Sequence, residues 1–121
     1  MMLQYLDFDY SEDEHGHGTF EAMASVPAAR LTLLQAEIAQ VLDWAHAAFP
    51  HQCAPLEEGG EWDCLLEGQQ EWAVPETLAY DEVTRRFSSQ PGSAAPPWHR
   101  VTLALSGSEQ FCQAFRLRFG V

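Results

Sequence analysis

Hydrophobic and polar residues alternate twice in the first quarter of the chain. Across residues 3–10, Leu6, Phe8 and Tyr10 fall on one side of an extended backbone and Tyr5, Asp7 and Asp9 on the other, which predicts a half-buried strand. Across residues 19–26 the same period puts Phe20, Ala22, Ala24 and Val26 on one face. The polar, glycine-containing residues 11–18 between the two runs predict a loop, and together the three segments read as an N-terminal hairpin.

The period then changes. Leu34, Ile38, Leu42, Ala45 and Phe49 recur at three- and four-residue steps, which predicts an amphipathic helix over residues 32–49. Thr32 to Gln35 fits a capping box, Pro27 offers an alternative earlier start, and Pro50 is the stop. Beyond the Gly59-Gly60 loop, residues 62–67, 72–80, 83–88 and 99–105 read as successive strands of a meander, with a tight turn at Asp81-Glu82 and a proline-rich loop over residues 90–97. At the end of the chain, Ser106 to Glu109 reads as a capping box. Phe111, Phe115 and Phe119 form an i, i+4, i+8 stripe, and Gly120 is placed for a C-cap.

The order β-β-α-β-β-β-β-α predicts a single α+β domain over residues 1–121, an antiparallel sheet with both helices packed on one face. A chain of 121 residues that is 46% hydrophobic is long enough to bury a continuous core despite its charge.

Charge narrows the functional classes. Six basic residues against 18 acids give a net charge of −12. All six are arginines. With no lysine, the chain cannot carry a lysine-anchored phosphate loop, a Schiff-base lysine, or a biotinyl or lipoyl lysine. The acidity is uneven: residues 1–60 hold ten acids and only Arg30 (−9), whereas residues 61–121 hold eight acids and five arginines (−3). Direct nucleic-acid binding is disfavoured on that balance. No apolar run approaches the roughly 20 residues of a membrane span, and the acidic opening segment is the reverse of a signal peptide, so a cytoplasmic setting is expected. Cys53, Cys64 and Cys112 form no C-x-x-C pair and leave one over in any disulfide scheme, which points to free thiols.

Several clusters are chemically suggestive. Asp13-Glu14-His15-Gly16-His17-Gly18 offers two imidazoles and two carboxylates, a set that suits zinc or nickel, but no second element supplies a partner motif. Asp7, Asp9, Ser11 and Asp13 resemble the start of a calcium loop, but the sixth position is Glu12 and the twelfth Gly18. Glu57, Glu58, Glu61 and Asp63 read as solvated rather than as an acid/base pair. Cys64, His46 and His99 are too ordinary to nominate as nucleophile and base. Arg85-Arg86 with Trp98, His99 and Arg100 could form a small basic-aromatic patch.

None of these sets is assigned as catalytic, cofactor-binding or metal-binding. Of the four tryptophans, Trp98 is expected at the surface, because it follows Pro96-Pro97. The expectation is a non-enzymatic binding module, such as an inhibitor or immunity-type protein, that meets a basic partner through Glu12, Asp13, Glu14 and Trp98. The alternative is a small metal-dependent protein using His15 and His17.

Overall fold

The computed structural model describes residues 3–121. Two strands, β1 (Asp9–Glu12) and β2 (Gly18–Pro27), form the N-terminal hairpin. Helix α1 (Leu31–Ala48) follows a short 3-10 turn. Four strands come next, β3 (Trp62–Glu71), β4 (Glu76–Asp81), β5 (Arg86–Pro91) and β6 (Trp98–Gly107), before the closing helix α2 (Glu109–Phe119). All strand pairing is antiparallel, and both helices lie on one face of the main sheet, as the sequence predicts.

Strand pairing departs from the expected meander. The main sheet has the order β1-β2-β6-β3, and β4 pairs with β5 alone in a separate ribbon. The ladder of β3 with β6 ends at Glu71 opposite Trp98, and the ribbon opens at Glu76 opposite Pro91. Between them stand Pro75, Pro96 and Pro97, which cannot donate ladder hydrogen bonds, so the sheet breaks there. The Gly92 amide donates to the Pro75 carbonyl at 2.7 Å and clasps the ribbon's base. Gln90 and Pro91, expected in the loop, belong to β5.

The first strand also begins later than the pattern suggests. Leu6 and Phe8 are buried as expected, but the backbone reaches the sheet only at Asp9. The reason is Glu37, a buried carboxylate on α1 that accepts hydrogen bonds from the amides of Gln4, Tyr5 and Leu6 at 2.8–3.2 Å. Those donors are satisfied by a side chain and need no neighbouring strand.

The expected Thr32 capping box does not form. A 3-10 turn runs directly from Pro27, and Arg30 at the N-cap makes no side-chain cap bond. The buried stripe of α1 is Leu34, Glu37, Ile38, Val41 and Ala45, with Leu42 and Phe49 only partly covered. At α2 the cap is Ser108, whose hydroxyl accepts from the Phe111 amide at 3.3 Å and donates to Glu61; Ser106 lies in β6. Gly120 closes α2 with φ 70°, the left-handed geometry that favours glycine.

The core is an aromatic stack between sheet and helices. Phe115 lies on Phe20 at a centroid distance of 4.1 Å, and Phe111 lies parallel to Trp62 at 5.7 Å. Trp44 of α1 contacts Phe111, Phe115 and Phe119, tying the two helices together. Since Phe115 is fully buried, Phe115→Ala is expected to lower stability by about 3–5 kcal/mol. Denaturant titration measures it, and a loss below about 1 kcal/mol would contradict this account of the core.

Candidate functional site

With both helices on one side, the other side of the sheet is left to solvent. Strand alternation and register put Asp9 and Ser11 of β1, Thr19, Glu21, Met23 and Ser25 of β2, and Trp98, Arg100, Thr102, Ala104 and Ser106 of β6 on this open face. Strand β3 adds Asp63, Leu65, Glu67, Gln69 and Glu71. Only one basic side chain, Arg100, lies among five carboxylates, and it is held by Glu71 at 2.7 Å.

The open face is not flat. Residues 52–54 run beside the start of β3 through a parallel bridge at Cys53 and Trp62, and the following 3-10 turn, Leu56–Glu58, stands over the face as a wall. Beneath it is an open depression of about 440 Å³ bounded by Pro55, Leu56, Glu57, Asp63, Leu65, Ala104 and Ser106. A second, of about 360 Å³, adjoins it through Leu56, Glu57 and Ser106 and reaches Asp13, His17 and Thr19. The two form one groove across the end of the sheet, lined by Asp13, Glu57 and Asp63 and by no arginine.

The hairpin loop residues nominated from the sequence stand at this end. Asp13 is built into the loop: its Oδ1 accepts from the amides of His15 and His17 at 2.8 and 3.0 Å. Slight desolvation pushes its carboxyl up, but those two amides and the two imidazoles outweigh it and hold the group below its usual value. Glu12 accepts from the Tyr10 hydroxyl at 2.9 Å. Desolvation, then this bond and the negative charge around it, push the Tyr10 phenol up to about 12. Glu14 is exposed, 3.9 Å from His15 Nε2.

Trp98 is at the surface, 49% exposed, but at the opposite end of the sheet, where it faces Pro27 and Glu71. The four nominated residues therefore do not form one patch. Trp72, which the sequence reading did not single out, is more exposed than Trp98, at 64%. The basic-aromatic patch is not assembled either, since Arg100 is paired with Glu71 and Arg85-Arg86 sit at the turn of the ribbon.

Among the described residues, no three His, Cys, Asp or Glu side chains gather closely enough to hold an ion. Cys53, Cys64 and Cys112 are free thiols, and burial pushes each of them up, so none is activated as a thiolate. In the second acidic cluster Glu57 and Glu58 are exposed, while Glu61 and Asp63 are half-buried. Glu61 is bound to Ser108, and Asp63 accepts from the Cys64 amide at 2.9 Å. The residues missed from sequence are those of the wall, Pro55 to Glu57. They carried a turn signal, but nothing in the chain's pattern says which face a turn will overhang.

Comparison of the chain with family models, with curated proteins and with solved structures finds no match.

Two outcomes test this geometry. Because the Asp13 carboxyl is depressed in the folded chain, its contribution to loop order is present above the ordinary carboxylate range and is lost as pH falls through the depressed value. The His15 and His17 amides should stay protected from exchange at mildly acidic pH and lose protection together in Asp13→Ala, with the core unchanged. Separately, elemental analysis of tag-free protein is expected to find no stoichiometric zinc or nickel. Metal that disappears in a His15→Ala/His17→Ala variant would favour the metal-dependent alternative.

Proposed function

We propose that this chain is a non-enzymatic binding module for a basic protein, engaged through the acidic groove at the hairpin end of its open sheet face. The observation that carries the reading is the lining of that groove: three carboxylates from three different segments, Asp13, Glu57 and Asp63, with no arginine among them. Carboxylates fixed along a concave surface complement arginine or lysine side chains, and they select and accelerate encounters with cationic surfaces. Leu56, Leu65 and Ala104 supply apolar floor and wall for the aliphatic stems of such side chains.

An inhibitor or immunity-type role fits this chemistry, with carboxylates presented in place of phosphates to a nucleic-acid-binding protein. Nucleic acid itself would meet a net charge of −12 and is not the proposed ligand. No helix among the described residues is long and apolar enough to cross a membrane, and no membrane partner is proposed. A cytoplasmic setting is proposed in keeping with three cysteines carried as thiols.

The test is recovery of a partner from native lysate at low salt, followed by kinetics with the purified pair. The on-rate should fall at least about tenfold as salt is raised from low to physiological strength, with much less change in dissociation. Glu57→Arg and Asp63→Arg should slow association most, with Glu14→Arg in the exposed loop acting more weakly and Glu12→Arg least, since Glu12 lies on the α2 side of the hairpin beside Tyr10 and Arg116. Asp13 is left intact here, because its loss would disturb the loop itself. Recovery of no basic partner, or an on-rate indifferent to both salt and these reversals, would remove the proposal.

A further inference from the structure

Strand β3 is the long free edge of the main sheet, since the order β1-β2-β6-β3 gives it no strand on its outer side. The other edge, β1, has only four residues, and shortness is one way a sheet keeps an edge from pairing. β3 has ten residues and no proline, and its register with β6 runs unbroken from Trp62 to Glu71, without a bulge. The first residue shows which backbone groups face outward. The Trp62 amide donates to the Gln52 carbonyl at 3.3 Å and the Trp62 carbonyl accepts from the Ala54 amide at 3.0 Å, so the even-numbered residues of β3 turn their groups away from β6. Cys64 agrees: its amide donates to the neighbouring Asp63 carboxylate at 2.9 Å. Beyond it, Leu66, Gly68 and Gln70 each present an N–H and a C=O that no strand and, among the described residues, no side chain satisfies.

The side chains of β3 say what kind of strand completes the ladder. Asp63, Glu67 and Glu71 stand at four-residue steps on the open side, and of these Glu71 alone is neutralised, by Arg100. A second copy of this edge would gather the carboxylates of both chains along one seam, and like charges across a strand pair are destabilising. Cationic side chains on that side are attracted instead. On the helix side, Leu66 is 51% exposed, and Gly68 beside it has open space where a Cβ would stand. An incoming strand with β-branched or apolar residues on the helix side covers Leu66 and packs over the glycine.

We propose that the basic partner presents an extended segment that adds to the free edge of β3 as a further, antiparallel strand, with basic residues on the open side alternating with β-branched or apolar residues on the helix side. The inference rests on the groove reading above and names the element of the partner that enters. Partner residues opposite Leu66, Gly68 and Gln70 exchange both backbone bonds with them, the more stable of the two pairing modes. The residues between carry basic side chains opposite Leu65, Glu67 and Gln69, and the Glu67 carboxylate meets one directly. The strand runs toward the start of β3, where residues 52–54 already occupy the edge, so its last basic side chain, opposite Leu65, stands at the groove beside Asp63. Main-chain bonds supply affinity and alternate side chains specificity, as in strand addition generally. A neutral strand would gain the ladder without the charge, and a basic helix the charge without the ladder.

The probe is an N-acetylated, C-amidated heptapeptide of alternating arginine and valine, with arginine at both ends, titrated into the full chain at low salt and followed by amide NMR. The amides of Leu66, Gly68 and Gln70 should shift and gain protection from exchange, whereas those of Leu65, Glu67 and Gln69, already bonded to β6, should change little. N-methylation of the valines, whose amides face β3 in this register, should weaken binding at least about tenfold. N-methylation of the arginines, whose amides face solvent, should leave it within about threefold. Glu67→Arg should weaken the parent peptide at least about tenfold, with far-UV circular dichroism unchanged. If the two methylated peptides bind alike and only groove residues shift, the strand is overturned and the groove reading stands. A reversed methylation pattern overturns the antiparallel register. No binding at about 1 mM peptide overturns the strand as well, and the groove reading is then decided by the salt dependence of the lysate partner's on-rate.

Discussion

The rings of Trp62, Phe111, Phe115 and Phe20 pack in series between the sheet and α2, and the positions of the other elements follow from that packing. It requires α2 to lie close over the end of β6. Gly107 permits this, because a Cβ there would fall 2.2 Å from a Phe111 ring carbon. The polar groups around the helix start are then used up locally: Ser108 caps the helix, bonds Glu61 through its hydroxyl and donates its amide to the Glu61 carbonyl at 2.9 Å. Trp62 in turn donates its indole N–H to the Phe49 carbonyl at the end of α1, so one residue fixes sheet, α2 and the end of α1 together.

Burying the aromatic stack on one side leaves the other side of the same four strands without a layer. That asymmetry, rather than any catalytic grouping, is what gives this molecule a surface to use. The acidic residues divide accordingly. Glu37 and Asp81 spend their carboxylates on backbone amides, and Glu61 on a cap hydroxyl, so their charge is part of the architecture, whereas Asp13 and Asp63 each give one oxygen to nearby amides and still line the groove. Among the described residues Glu21, Glu57 and Glu67 are in no ion pair, and they remain available to whatever meets the open face and its groove. A net charge counts both groups alike, whereas recognition draws on the second.

Residues whose role is local were legible from the sequence. The alternation of Phe20 to Val26, the stripe of Phe111, Phe115 and Phe119, the stop at Pro50 and the C-cap at Gly120 depend on backbone period and φ preference, which neighbouring residues settle among themselves. The α+β class and the order of the elements followed from these. Thr32 and Ser106 show where local reading falls short. Each has the residue spacing of a cap, but the cap is taken by whichever residue the chain path brings to the helix start, and that was decided by Pro27 and by the close approach at Gly107.

Tertiary structure alone decided which strands became neighbours and which acids stayed free. The pairing of β3 with β6 joins residues up to 45 apart, and no periodicity within either strand encodes a partner at that distance. The separation of Trp98 from Glu12, Asp13 and Glu14 by the length of β2 was hidden for the same reason. So was the wall that Pro55, Leu56 and Glu57 raise over the open face. Composition determined that this chain would be acidic, lysine-free and able to fold. Where its carboxylates face solvent in a concave array is a property of packing, because a side chain's sign is written in the sequence and its unpaired exposure is the outcome of every contact around it.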